Sequence, residues 1–244
     1  MTKKSTTTGF SGNRELKTRV KTARGRKPSS TRWLQRQLND PYVALAKKEG
    51  YRSRAAYKLI ELDDKFGFLK AGKTVLDLGA APGGWTQVAA ARVKSTEGKP
   101  LVVGVDILPM TEVPNALTIQ LDFMDDKAPQ TIRDLIKKIS GDNGLVDVVL
   151  SDIAPNTTGH QATDHLRIMA LLEAAYPFAC EVLKIGGIFV AKVFQGGAEK
   201  DLLTQMKKDF TSVKHAKPKA SRADSAEMYV LAIGFKGQNL ISGC

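Results

Sequence analysis

The sequence predicts an α/β fold: a mostly parallel sheet that ends in an antiparallel strand pair, with helices on both faces. Three observations predict it. From Thr74 onward, short β-branched runs alternate with helical segments. Those runs are almost continuously apolar, the pattern of strands covered on both sides. Near the end, two strand-like runs are joined by a connection too short for a crossover helix, which makes antiparallel pairing the cheap solution.

The strand candidates in order are TVLDLG, LVVGVDI, ALTIQL, LVDVVLSD and GIFVAKVF, with GGWTQVAAARV, APQTIRDLIKKI and DHLRIMALLEAAYPFACEVL between them as helices. SVKHAKP and EMYVLAIGFK follow, joined by KASRADSA. Ahead of the sheet, WLQRQLNDPYVALAKKEG reads as one or two short helices, with Asp40 as cap and Pro41 at the first helical position. In SRAAYKLIELDDKFGFL, Ala56, Leu59, Ile60, Leu62 and Phe66 recur at roughly helical spacing, with Ser53 as a plausible cap.

A chain of 244 residues can bury a core unaided, and the expected organisation is a basic, disordered tail over residues 1–30 and a single domain over 31–240. The net charge of +12 is concentrated at the start. Residues 1–36 hold eleven Lys or Arg against Glu15 alone, and the rest of the chain is nearly balanced. A segment this basic and this poor in apolar residues cannot order itself by burial, and it suits a polyanion whose counterions it would release. Cys180 and Cys244 are far apart, and His160, His165 and His215 lack partnering cysteines, so neither a disulfide framework nor a metal site is expected. With no membrane-length apolar run and no signal-like start, a soluble cytoplasmic monomer is the expectation.

The loop in TVLDLGAAPGGW raises the question of what its glycines hold. A phosphate loop needs a Lys followed by Ser or Thr, which is missing after Gly83 and Gly84. The dinucleotide fingerprint fails too, because Ala80 stands where a glycine must let backbone approach a pyrophosphate. S-adenosylmethionine, a nucleoside joined to an amino-acid zwitterion, fits better. Asp106 and Asp122 then close later strands as acceptors for its donor groups, at the carboxyl edge where such sheets bind ligands. The mostly parallel sheet with an antiparallel end is itself similar to the class I methyltransferases, with their Rossmann-like fold.

Further charges interrupt apolar strands: Asp152 ends VDVVLSD, Lys192 lies inside GIFVAKVFQG, and Glu227 opens EMYVLAIGF. A lysine in a core strand is costly unless it is paired or at a strand mouth. Lys58 from the early helix adds a second cation, and these four could converge on one cleft.

The motifs RSRAAYKL, DLGAAPGGW, VLSDIAPNTTG, FVAKVFQG and SRADSAEMYVLAIGF, in this order, resemble the FtsJ/RrmJ family of S-adenosylmethionine-dependent ribose 2′-O-methyltransferases over about residues 30–235. The similarity is greatest to the bacterial branch that modifies a uridine in large-subunit ribosomal RNA. The resemblance implies a catalytic tetrad of Lys58, Asp152, Lys192 and Glu227. It implies cofactor contacts at Gly83, Trp85, Asp106, Asp122 and Asp152, with ribosomal RNA as partner, within the large subunit or free. The basic tail before Trp33 is longer than the family pattern. Methyl transfer to an alcohol is an in-line displacement that needs alignment and proton removal. The charges around Lys192 offset one another, so exclusion of water on closing the site is expected to make Lys192 a base. Arg32, Arg36, Arg52 and Arg54 are candidate phosphate contacts beside the cleft.

Overall fold

A computed structural model describes residues 18–237 apart from 23, 142, 155–160, 195–199 and 224. The family-like residues 155–160 and Gln195–Gly196, most of the basic tail, and the side chains of Arg32 and His165 therefore lie outside the described part. No helix among the described residues is long and apolar enough to cross a membrane.

The chain separates into two compact units, one up to Ala44 and one from Leu45. In the first, helix α1 spans Pro28–Leu38. Asp40 caps the next helix, α2 (Pro41–Glu49), its Oδ1 accepting the Tyr42 N–H at 3.0 Å. This is the N-terminal capping expected of an Asp before Pro.

The second unit is a seven-stranded sheet in the order β3-β2-β1-β4-β5-β7-β6. Its strands are β1 Val75–Leu78, β2 Val102–Asp106, β3 Leu117–Gln120, β4 Val146–Ser151, β5 Leu183–Phe194, β6 Phe210–Ala216 and β7 Glu227–Phe235. The first five run parallel, and β7 is antiparallel to both β5 and β6. Helices α3 (Ala56–Phe66) and α4 (Gly84–Val93) cover one face, closing a core around Leu59, Leu62, Trp85, Val88, Val190 and Leu231. On the other face α5 (Ala128–Ser140), α6 (Gln161–Val182) and α7 (Lys200–Asp209) cover Leu76, Val103, Val149 and Phe189.

The structure refines three sequence expectations. Helix α7 continues the alternation one step further, so β5-α7-β6 is another crossover and only β7 is reversed. The strands are not all dry: β3 is half exposed because it is an edge, and β6, the other edge, is mixed. Ser53 does not cap α3. The helix starts from Ala55 without a side-chain cap, and the Ser53 hydroxyl faces Gly84 instead.

At the amino edge of the sheet, Asp147 ties β1 to β4. Its carboxylate accepts Lys73 Nζ at 2.7 Å, Lys184 Nζ at 3.0 Å, and both the N–H and hydroxyl of Thr74 at 2.9 Å. Burial alone would raise its pKa, but these donors overcome it and hold the carboxyl well below the ordinary range. The stability this contributes is therefore present above about pH 4 and lost as pH falls below it. Asp147→Asn should cost about 1–3 kcal/mol at neutral pH, with the gap from the parent protein closing in acid. Urea titrations at several pH values check both parts.

Candidate active site

Side chains alternate along a strand, and that parity assembles the site. Asp77 of β1, Asp152 just past β4, Lys192 of β5 and Glu227 and Tyr229 of β7 all fall on the face covered by α3 and α4, in step with Val75, Val148, Val190 and Leu231. The reversal of β7 puts its first residues at the carboxyl edge of the parallel strands, with Tyr229 directly opposite Lys192 in the ladder.

The four charged residues form two pairs. Lys192 Nζ donates to Asp152 Oδ1 and to the Asp152 carbonyl, both at 2.8 Å. Lys58 Nζ bridges both oxygens of Glu227, at 2.7 and 2.8 Å. Tyr229 joins the pairs: its hydroxyl donates to Asp152 Oδ1 at 2.8 Å, and Lys58 Nζ lies 5.8 Å above its ring. The Lys192 residue is only 7% exposed, so it is a buried, paired lysine rather than one snorkelling into solvent. Burial works to raise the Asp152 carboxyl, but Lys192, then Lys58 and the two hydrogen bonds bring it below its ordinary value. It is held ionised. The Tyr229 hydroxyl is pushed well above its ordinary value, by burial first and then by the neighbouring Asp152 and Glu227.

Asp152 and Lys192 also line a cavity of about 590 Å³ at the carboxyl edge of β1, β2 and β4. Its polar lining is acidic, with Asp106 and Asp122, and its apolar lining includes Ile107, Leu108 and Met124, each more than half exposed. Asp106 accepts the main-chain N–H of Ala81 at 2.8 Å and of Leu108 at 2.7 Å, one on each oxygen. Asp122 Oδ1 accepts the Met124 N–H at 2.9 Å. The strand-end acids thus shape the loops around the cavity, and each oxygen keeps a further lone pair for a ligand donor.

Gly83 and Trp85 are not among the lining residues. The Trp85 ring is buried, its Nε1 donating to the Ala55 carbonyl at 2.8 Å and its ring 5.5 Å from that of Tyr229. Only its main chain is available to a ligand. The glycines answer to protein rather than to ligand. Gly79 has φ +79, and a Cβ there would sit 2.8 Å from the backbone of Ile153; at Gly83, with φ +107, a Cβ would sit 2.8 Å from Val113 and 3.0 Å from Arg52.

Beneath the loop, Asp77 is fully buried. Its Oδ2 accepts the Thr86 hydroxyl at 2.7 Å, and its Oδ1 has no partner. Burial, with Asp152 and Asp106 nearby, raises its carboxyl to about 7. An acidic cavity, an unsatisfied buried carboxyl oxygen below it and an apolar rim suit a cationic ligand that carries hydrogen-bond donors and a flat apolar part. S-adenosylmethionine fits that description.

A model of the FtsJ-like methyltransferases matches residues 51–235. The chain belongs to this family. It is 60% identical over 222 residues to the ribosomal RNA large subunit methyltransferase E of Rhodopseudomonas palustris strain BisA53, covering 91% of this chain and 92% of the relative. With the protein of the same name from Parvibaculum lavamentivorans it shares 58% over 238 residues, 95% of this chain and 91% of that one. A solved structure described as a ribosomal RNA methyltransferase of Plasmodium falciparum superposes with TM-score 0.66 at 36% identity, over 77% of this chain and all of the other.

Within this FtsJ-like domain, sequence reasoning missed Tyr229, Ser221 and Asp77. The Ser221 hydroxyl donates to Glu227 Oε1 at 2.8 Å and so helps orient that carboxylate. Parity with Lys192 in an antiparallel ladder could have found Tyr229, and an acid inside the apolar run VLDL could have found Asp77. Arg52 and Arg54, the candidate phosphate contacts beside the cleft, are both engaged by main-chain carbonyls. Arg54 Nη2 donates to the Ala220 carbonyl, and Arg52 donates to three main-chain carbonyls. Arg36 is exposed on α1.

The native Asp77 keeps its proton to about pH 7, whereas an unfolded carboxyl loses it near about 4. The native state binds more protons between these values, so stability falls as pH rises through that window and is level above it. Asp77→Asn is neutral throughout. It should melt higher than the parent protein at pH 8 and nearly equal to it at pH 4, a difference that calorimetric melts across this range will read.

Proposed function

We propose that this protein transfers the methyl group of S-adenosylmethionine to the 2′-hydroxyl of a uridine in large-subunit ribosomal RNA, acting as a cytoplasmic monomer. The observation that carries the reading is the pair of ion pairs, Asp152–Lys192 and Lys58–Glu227, joined through Tyr229 beside an acidic cavity. The relatives' names supply the ribosomal substrate.

When bound, S-adenosylmethionine supplies an electrophilic methyl group on a sulfonium. Asp106 and Asp122 would accept from its ribose hydroxyls and amino group, Ile107, Leu108 and Met124 would cover its base, and the main chain at Gly83 and Trp85 would close the amino-acid end. The ionised Asp152 favours its positive charge. Because a shared negative lining both attracts the donor and holds Lys192, the donor pocket and the acceptor site meet at Asp152.

A ribose hydroxyl attacks only as it loses its proton. Lys192 takes this proton once its own ammonium has given one up to solvent as water leaves the site. Its amine donates two hydrogen bonds to Asp152, and it is released as a base when donor and RNA fill the site and exclude water. Lys58 and Glu227 balance charge and orient the hydroxyl, and Tyr229 fixes the spacing of the pairs. The 2′-hydroxyl is also what separates RNA from DNA, so the nucleophile itself carries part of the specificity.

Mapping of ribose methylation by mass spectrometry, in cells with and without the protein, should show one large-subunit uridine losing its methyl group. Modification of transfer RNA instead, or no change, overturns the substrate. With purified components, Lys192→Ala should lower kcat by about 10²–10⁴-fold with donor affinity little changed. Lys192→Arg should be similarly inactive, and an active arginine variant would demote Lys192 from base to orienter.

A further inference from the structure

The basic residue Arg52 is half-buried and its side chain is committed. Its side chain donates to the Pro82 carbonyl at 3.2 Å, to the Thr111 carbonyl at 2.6 Å and to the Glu112 carbonyl. Pro82 belongs to the loop between β1 and α4, whose residues Gly79 and Ala81 line one side of the cavity. Thr111 and Glu112 belong to the stretch after β2, whose residues Ile107 and Leu108 line the other. That stretch has neither helix nor strand over residues 107–113. Arg52 is itself anchored, its N–H donating to Gln87 Oε1 of α4 at 2.9 Å.

From these contacts we infer that Arg52 is a positioning residue that staples together the two loops framing the donor cavity, rather than a contact for RNA. A planar guanidinium offers five donors in a rigid fork, so one side chain can bind carbonyls from two segments at once. A lysine in its place has the charge without the fork. Gly83 is part of the same device: a Cβ there would lie 3.1 Å from Arg52 Nη1 and 2.8 Å from Val113 Cγ2, so its missing side chain makes room for the guanidinium and the second loop together. The staple holds the mouth of the cavity in shape before any ligand arrives, which reduces the ordering that binding must supply. It deepens the proposed donor site and rests on that reading only for the identity of the ligand.

The test uses the full chain with Arg52→Lys, Arg52→Ala and, as an independent disturbance of the same contact, Gly83→Ala. Hydrogen–deuterium exchange without ligand should rise about tenfold or more in peptides covering 107–116 in all three, with the rest of the sheet unchanged. Calorimetric titration with S-adenosylmethionine should show Kd weakened about tenfold in the arginine variants, while their kcat at saturating donor stays within about twofold. The salt dependence of RNA binding should not move. Unchanged exchange at 107–116 overturns the staple. So does a salt slope reduced by about one with donor Kd intact, which would make Arg52 a phosphate contact. If the parent protein fails to bind S-adenosylmethionine, the proposed function falls while the exchange data still judge the staple.

Discussion

A lysine buried in the middle of a sheet governs this molecule. Lys192 sits on a central strand with little access to water, and such a cation persists only if a carboxylate is held against it with its remaining hydrogen bonds met. Asp152 meets that demand from the end of the neighbouring strand, and Tyr229 meets the demand of Asp152 from the other side. The second pair, Lys58–Glu227, closes the network from α3 and the start of β7. Taking away either partner of a buried pair leaves an uncompensated charge, so the network is also a reason for β4, β5 and β7 to be neighbours in this register.

The same constraint explains the odd topology. A purely parallel sheet would bring the first residues of its last strand to the amino edge, far from the ends of β4 and β5. Inserting β7 antiparallel between β5 and β6 delivers Glu227 and Tyr229 to the carboxyl edge, where ligands of such sheets collect. Opposite that edge, Asp147 locks β1 to β4 with two lysines and a threonine. One edge is braced by satisfied charge, and the other keeps an unsatisfied carboxyl oxygen at Asp77. The working end retains polar capacity that the structural end has used up.

The glycine loop is packed against protein as well as placed near a cavity. Gly79 lines the cavity and Gly83 does not, and the atoms that exclude a side chain at these two positions are Ile153, Val113 and Arg52. The backbone is brought close to protein first, and the cavity is what the packed loops leave between them. Trp85 tells the same story: it opens α4 next to the loop, yet its ring is spent on the core against Tyr229.

By itself the sequence determined the strands, most helices and the sheet's character from their apolar periodicity, and it marked Asp152, Lys192 and Glu227 because a charge in or beside an apolar strand is costly enough to be informative. Tertiary structure alone decided what those residues touch. That Lys192 pairs with Asp152 while Lys58 takes Glu227, that Tyr229 links them, and that Arg52 and Arg54 turn inward to carbonyls are facts of register and chain reversal, and no local spacing encodes them. The half-exposed edges β3 and β6 were hidden for the same reason: a strand's composition records its propensity to pair, whereas its exposure depends on whether a neighbour lies on both sides.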